Sequence, residues 1–259
     1  MKIGIIGFGH VGTTMYRLFH DFDVEVYDRF KVLGTKEKIN NCDISFICVP
    51  TPQAADGSCD TAAVEEVLGW VKTPIVVIRS TVPVGFTETW NARAPGWQHI
   101  VFQPEYYGET VAHPFADPHN RSWITLGGDM YGCEEAAKVY KKVFTSELII
   151  NIVGARTAEL AKYMENAFYA TKVTFCNQFY QLAEDMNISY DVLRETWLLD
   201  PRISRDHTFV YDDNRGYGGS CLPKDMSAII YQGEDLGTNV DFLKAVEKAN
   251  DVWRQKNEK

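Results

Sequence analysis

No run in this chain of 259 residues is apolar for long enough to cross a bilayer, which takes about twenty consecutive residues in a helix. A secretory leader is not indicated either. The first apolar stretch, Lys2-Ile3-Gly4-Ile5-Ile6, breaks at glycines and has no small-residue cleavage pattern behind it. Basic charge is scarce, with 26 Lys and Arg against 35 Asp and Glu and a formal net charge of −9. That balance argues against a nucleic-acid ligand, while leaving room for a local basic pocket around a diphosphate. The six cysteines fall at irregular spacing and form neither a zinc-ligand nor a disulfide pattern, so no metal is expected. Cys42, Cys48, Cys59, Cys133 and Cys176 read as reduced, mostly buried small residues. These absences point to a cytoplasmic enzyme of one large or two ordinary domains.

The sixth cysteine stands apart. Gly216-Tyr217-Gly218-Gly219-Ser220-Cys221-Leu222-Pro223-Lys224-Asp225 places Cys221 in a glycine-rich loop that runs into a helix. Pro223 suits a first helical turn, where its missing N–H costs nothing, so Cys221 is expected near the positive end of the helix dipole. An unperturbed thiol of pKa about 8.5 is only roughly 3% ionised at pH 7, so lowering by the dipole or by Lys224 raises the reactive fraction directly. Asp225, one turn on, could face the sulfur and handle a proton or a water. Cys221 is therefore a candidate nucleophile.

The N-terminus indicates what such a nucleophile works with. The run Lys2–Ile6 reads as a buried parallel strand leading into Gly7-Phe8-Gly9-His10-Val11-Gly12, a G-x-G-x-x-G that opens a helix. Gly7 permits the tight turn, Gly9 lets backbone N–H groups approach a pyrophosphate, and Gly12 lets helix pack closely on strand. A second strand, Val24-Glu25-Val26-Tyr27, ends at Asp28. An acid there accepts hydrogen bonds from the adenosine ribose hydroxyls and repels a 2′-phosphate, favouring NAD over NADP. Arg29 pulls the other way.

Further strands are expected at 44–49, 75–78, 99–102, 122–126 and 148–152, with helical patterns around 61–71 and 132–143. Strands alternating with helices imply an α/β, doubly wound, mostly parallel Rossmann-like sheet in residues 1–155. Ligands on such sheets bind at the carboxyl ends of the strands. Val49-Pro50-Thr51-Pro52, Arg79-Ser80-Thr81-Val82-Pro83-Val84-Gly85 and Gln103-Pro104-Glu105-Tyr106-Tyr107-Gly108-Glu109 follow three of them and are expected to face the cofactor crevice. Prolines and glycines in these segments also serve simply as turn punctuation.

From Thr157 to about Met186 runs a helical pattern without proline or glycine. Its apolar residues, among them Leu160, Met164, Phe168 and Phe175, spread over more than one face, so it is expected to bury one side against a dimer partner. Residues 156–259 are thus read as a long central helix and a helical dimerisation and catalytic-cysteine domain. Lys162 and Asn166 lie at i and i+4 on that helix and, taken alone, read as an exposed polar pair.

With these pieces assembled, the chain resembles the UDP-glucose 6-dehydrogenases of the UDP-glucose/GDP-mannose dehydrogenase family. The resemblance is carried by Gly7–Gly12, Ser80–Gly85, Pro104-Glu105 with Glu109, Glu159-Leu160-Ala161-Lys162-Tyr163 with Asn166, Asp200-Pro201-Arg202-Ile203, and above all Gly216–Asp225. It implies an NAD-dependent four-electron oxidation of a sugar C6 alcohol to a carboxylate. It also reverses the exposed-pair reading: Lys162, Asn166 and an Asp225-bound water would stabilise the developing alkoxide. Cys221 would add to the aldehyde to give a thiohemiacetal and then a thioester, hydrolysed with Glu109, Thr81 and Asp225 nearby. Glu105 would organise the site. Tyr106, Tyr107, Tyr217 and Gly218 would join Glu105, Lys162, Asn166 and Cys221 in binding the sugar nucleotide, and Arg202 would reach into a neighbouring subunit's site. The cofactor would touch Gly7, Phe8, Gly9, His10, Val11, Gly12, Asp28, Arg29, Val49, Pro50, Thr51, Ser80, Thr81 and Glu109.

The family continues into a second nucleotide-fold domain that grips the UDP, whereas this sequence stops after the helix around Phe242–Asn250. A short form lacking that domain, a fragment, or one half of a split enzyme whose partner supplies the UDP domain are all compatible with this. So is a hydroxyacid-type NAD dehydrogenase that uses Lys162 and Asn166 but not Cys221. UDP-glucose is the expected substrate, although other nucleotide sugars would use the same cysteine chemistry.

Overall fold

The computed structural model describes residues 1–106, 117–144 and 148–256. In chain order the first elements are β1 (Lys2–Ile6), α1 (His10–Leu18), β2 (Asp23–Tyr27), α2 (Lys36–Asn40), β3 (Ile44–Ile47), α3 (Ala62–Leu68), β4 (Ile75–Ile78) and α4 (Phe86–Asn91). They are followed by β5 (His99–Phe102), β6 (Trp123–Gly127), α5 (Met130–Val143), β7 (Ile149–Val153), α6 (Ala155–Asp185), α7 (Tyr190–Trp197), α8 (Leu222–Asp235) and α9 (Asp241–Lys256). The chain divides into two compact units. Met1–Pro52 with Cys59–Lys162 forms the first, and Gln53–Ser58 with Tyr163–Lys259 the second. The division falls inside α6.

The first unit is a seven-stranded sheet of order β2-β1-β3-β4-β5-β6-β7. All neighbours pair in parallel except β5 and β6, which meet antiparallel at Phe102 and Gly127. Alternate residues along each strand feed opposite faces, so both faces are buried. Ile3, Ile5, Phe46, Val77 and Val101 pack with Met15, Phe19 and Tyr140 on one side. Ile6, Ile47, Val76, Ile78 and Ile100 pack with Ile39, Val64 and Val67 on the other. This is the doubly wound α/β architecture expected from the alternation of strands and helices. Strand β3 ends at Ile47 rather than at Val49, so Val49 and Pro50 belong to the loop beyond it.

The second unit has two small cores. Ala167, Ala170, Tyr217, Met226, Ile230 and Val246 gather α6, α8 and α9, and Cys176, Ala183 and Tyr190 seat α7 with Leu193 and Trp197. The segment Gln53–Ser58 joins this unit through Ser227 of α8. Gln53 Nε2 donates to Ser227 Oγ at 2.9 Å, and that hydroxyl donates to the Gly57 carbonyl at 3.0 Å.

One buried side chain holds the β4 loop of the first unit. Helix α4 starts at Gly85, which has no side chain to cap it and adopts φ 97°. Glu159 of α6 performs the capping instead, accepting from Gly85 N at 2.6 Å and Thr87 N at 2.9 Å while itself fully buried. A carboxylate there satisfies two orphan amides and complements the positive helix end. Glu159→Ala is expected to cost about 2–4 kcal/mol of stability. Urea unfolding of the variant checks this, and an unshifted midpoint would mean that water replaces the carboxylate.

Candidate active site

The fingerprint glycines are held by different constraints. A Cβ on Gly12 would sit 2.0 Å from the Gly7 carbonyl oxygen, and one on Gly7 would sit 2.7 Å from that of Cys48. Helix, loop and strand therefore meet with no room for a methyl group. At Gly9, the N-cap of α1, no atom among the described residues lies within 4 Å of a Cβ. The open space there fits a ligand lying against the backbone at a helix N-terminus.

Beside this loop a cleft of about 270 Å³ is lined by Gly7, Asp28, Arg29, Val49 and Pro50 among the expected cofactor residues. Tyr27, Phe30, Ala63, Glu66, Val67 and Trp70 also line it. The sequence does not mark these as cofactor contacts, although Ala63, Glu66, Val67 and Trp70 lie in the helical pattern around 61–71. Burial alone would raise the Asp28 carboxyl. Amides donated by Lys31, Phe8 and Phe30 outweigh it and hold the carboxyl below its ordinary value. Its Oδ2 accepts from Phe8 N at 2.7 Å, and its Oδ1 from Phe30 N and Lys31 N, both at 2.9 Å. The acid is thus charged and fixed against the glycine loop. Phe8, His10, Val11, Thr51, Ser80 and Thr81 do not line this cleft. Ser80 is buried, its hydroxyl turned to the Val49 carbonyl at 2.6 Å, and the Thr81 carbonyl accepts from the Cys59 thiol.

Glu105 lies near the end of β5 and forms an ion pair with the fully buried Arg79 guanidinium, which also donates to the Gln103 and Pro104 carbonyls. Arg121 approaches the same carboxylate at 3.8 Å. The Lys162 ammonium sits 4.8 Å from the centre of the Tyr106 ring. Arg121 is not marked by the sequence as a site residue, and Arg79 only as part of the segment expected to face the cofactor crevice. Tyr107 and Glu109 lie outside the described residues.

In the helical unit Cys221 is exposed and is the N-cap residue of the fourteen-residue α8, with Ser220 Oγ 3.6 Å from its sulfur. Asp225 is buried. It accepts from Asn166 Nδ2 at 2.5 Å and is ion-paired with Lys224. Lys224 thus serves the carboxylate. Lys162 and Asn166 are 8% and 5% exposed, which overturns the exposed-pair reading: a buried cation and a buried amide need partners, and hydropathy spacing alone does not reveal them. Arg202 is exposed, its guanidinium forked onto its own Asp200. The remaining thiols differ from Cys221. Burial pushes Cys42 up to about 11 and both Cys48 and Cys133 up to about 12.

The base of the cysteine loop is clamped by amide side chains. Asn250 of α9 accepts from Tyr217 N at 2.7 Å and donates to Tyr217 O at 3.0 Å. Asn177 of α6 accepts from Gly216 N at 3.1 Å and from Arg215 Nε at 2.8 Å. Gly216, at φ 73°, could not carry a Cβ, which would lie 2.5 Å from Asn250 Oδ1. Burial, with Glu247 and Asp251 nearby, raises the Tyr217 phenol.

Two family models match this chain: the NAD binding domain of the UDP-glucose/GDP-mannose dehydrogenase family over residues 28–145, and the central domain of the same family over residues 156–252. The chain belongs to the UDP-glucose/GDP-mannose dehydrogenase family. Its first unit is accordingly an NAD-binding Rossmann domain. A putative UDP-glucose 6-dehydrogenase of Bacillus subtilis is 30% identical over 229 residues, covering 84% of this chain and 52% of that protein. The UDP-glucose dehydrogenase structure of Pyrobaculum islandicum superposes with a TM-score of 0.85 at 28% identity, over 97% of this chain and 68% of that one. A UDP-D-ManNAc dehydrogenase of Pyrococcus horikoshii shares the fold, with a TM-score of 0.78 at 22% identity over 97% of this chain and 68% of that one. The chain spans about half the length of the curated relatives it matches. No helix among the described residues is long and apolar enough to cross a membrane.

Asn250→Ala should destabilise the chain by about 2–3 kcal/mol, because it leaves the N–H and C=O of Tyr217 buried without partners. It should also slow alkylation of Cys221 by iodoacetamide as the loop loosens from the helix end. An unchanged alkylation rate at lowered stability would reduce Asn250 to a packing contact.

Proposed function

We propose that this chain oxidises the C6 alcohol of a nucleotide sugar, UDP-glucose before others, to the uronate in two NAD-dependent steps. The observation that carries this reading is the exposed Cys221 at the N-cap of α8, one turn from a buried Asp225 tied to Asn166. NAD, when bound against Gly7, Gly9, Asp28, Val49 and Pro50, supplies the hydride acceptor for each oxidation. Thr51, Ser80, Thr81 and Glu109 complete its proposed surroundings, as do the backbone groups of Phe8 and of His10 to Gly12.

The chain's own residues manage protons and carbon–sulfur bonds. As the C6 hydroxyl loses its proton, Lys162 and Asn166 stabilise the alkoxide, with water held by Asp225 taking the proton. Loss of a hydride from C6 turns the alkoxide into the aldehyde; the Cys221 sulfur then bonds to its carbon as the C=O π bond breaks, and the resulting oxygen is protonated to the thiohemiacetal. Loss of a second hydride and that proton leaves a thioester. Water adds to its carbonyl with Glu109 or Asp225 as base and Thr81 nearby, the carbon–sulfur bond breaks, and carboxylate and thiol are released. Arg79 and Arg121 keep Glu105 in place as an organising group beside the sugar, with Tyr106, Tyr107, Tyr217 and Gly218.

The reading extends to assembly. Met164, Phe168, Phe175, Phe179 and Leu182 of α6, with Met186 just beyond its end, are all exposed, Met164 to 74%. Steps of three, four and seven residues put them on one stripe, and a stripe of this kind suits a second copy of the chain. Arg202 would then serve the partner's sugar. A monomeric mass by light scattering at micromolar concentration would exclude this.

The deciding experiment is NADH yield from limiting UDP-glucose with excess NAD. Two NADH per sugar are expected from the parent chain, and Cys221→Ser should form no uronate while still binding NAD. One NADH per sugar, unaffected by Cys221→Ser, would indicate hydroxyacid-type chemistry instead. No turnover despite NAD binding would assign the UDP grip to another polypeptide or the site to a different nucleotide sugar.

A further inference from the structure

The loop after β2 contains two cations, Arg29 and Lys31, and either could welcome the 2′-phosphate of NADP. In dinucleotide folds an arginine at this place accommodates that phosphate, whereas an acid at the strand end binds the bare ribose. This chain has both, since Asp28 precedes Arg29. Both cations are already engaged. Lys31 Nζ donates to the Phe8 carbonyl at 2.6 Å. Arg29 lies 4.6 Å from the Phe30 ring centre and is ion-paired with Glu66, beyond the fingerprint and across the cleft from its own loop. Asp28, Arg29, Phe30 and Glu66 all line that cleft.

We infer that Glu66 is a specificity-determining residue that excludes NADP by neutralising Arg29. The inference rests on the NAD-binding role of this domain. A 2′-phosphate brings one to two further negative charges at neutral pH. Next to Asp28 it meets a guanidinium whose charge is already balanced, so it must either displace Glu66 or sit beside two carboxylates. The uncharged ribose hydroxyls of NAD meet no such opposition, and they use the remaining acceptor capacity of Asp28. Glu66 and Arg29 are both about half exposed, at 46% and 50% for their side chains, so the pair contributes little to stability. Selectivity is the property it affects.

The test is calorimetric titration of NAD and NADP into the full chain, its Glu66→Gln variant and the Arg29→Ala/Glu66→Gln double variant. Glu66→Gln should lower the ratio of the NADP Kd to the NAD Kd about tenfold, the effect of removing one nearby charge at an intermediate dielectric. The double variant should lose that gain. A ratio unmoved by Glu66→Gln overturns the inference while leaving NAD binding intact, and a gain that persists without Arg29 overturns the route through the guanidinium. Failure of every variant to bind either dinucleotide would refute the cofactor assignment itself, and Glu66's role with it.

Discussion

The constraint on which this chain depends is that α6 is built inside out. Glu159, Lys162 and Asn166 fall on one stripe at i, i+3 and i+7, and all three are buried. Leu160, Met164, Phe168 and Phe175 lie on the opposite side and are exposed. Burying polar groups is unfavourable unless each finds a partner. Glu159 finds the amides at the start of α4, and Asn166 finds Asp225. Glu159 thus holds the start of α4 within the first unit, and Asn166 holds Asp225 of α8 within the second. The apolar stripe left outside is the counterpart of that choice.

The same inversion explains what the sequence could and could not reveal. Strands such as Ile75–Ile78, apolar at every position, announce a sheet buried on both faces, and the fold follows from their alternation with helices. Lys162 and Asn166 resist this approach because hydropathy spacing places polar residues outside. Only their resemblance to a family pattern pointed inward. The short helices α2, α4 and α7 were not foreseen, since five to eight residues give too few turns for a period to show. Residues that act across the sequence were equally hidden. Glu159 caps a helix more than seventy positions earlier, and Asn250 holds a backbone unit thirty-three positions away.

Environment separates the cysteines more clearly than spacing does. Cys42, Cys48 and Cys133 are buried where desolvation disfavours the thiolate. Cys221 is exposed at a helix N-cap, with its loop fixed from below by two asparagine side chains. Both clamps act on backbone atoms of the loop, and neither uses the Cys221 side chain. A rigid base beneath an exposed thiol suits a nucleophile that forms and breaks a bond to carbon in each cycle.

The fingerprint shows how far a motif reaches and where it stops. Gly7 and Gly12 are glycine because the chain itself occupies the space a side chain would need, so they would be required whatever bound nearby. Gly9 has empty space before it. Among the described residues nothing occupies the place a side chain would take, and that space suits a ligand that presses against the backbone. Asp28 carries the complementary information. Its carboxylate is oriented by three backbone amides before any ribose arrives, so binding requires little reorganisation of the acid. The motif names a dinucleotide. The choice between two dinucleotides lies outside it, with Asp28, Arg29 and Glu66 together, because a phosphate is distinguished from a hydroxyl by the sum of charges around it and not by any one of them.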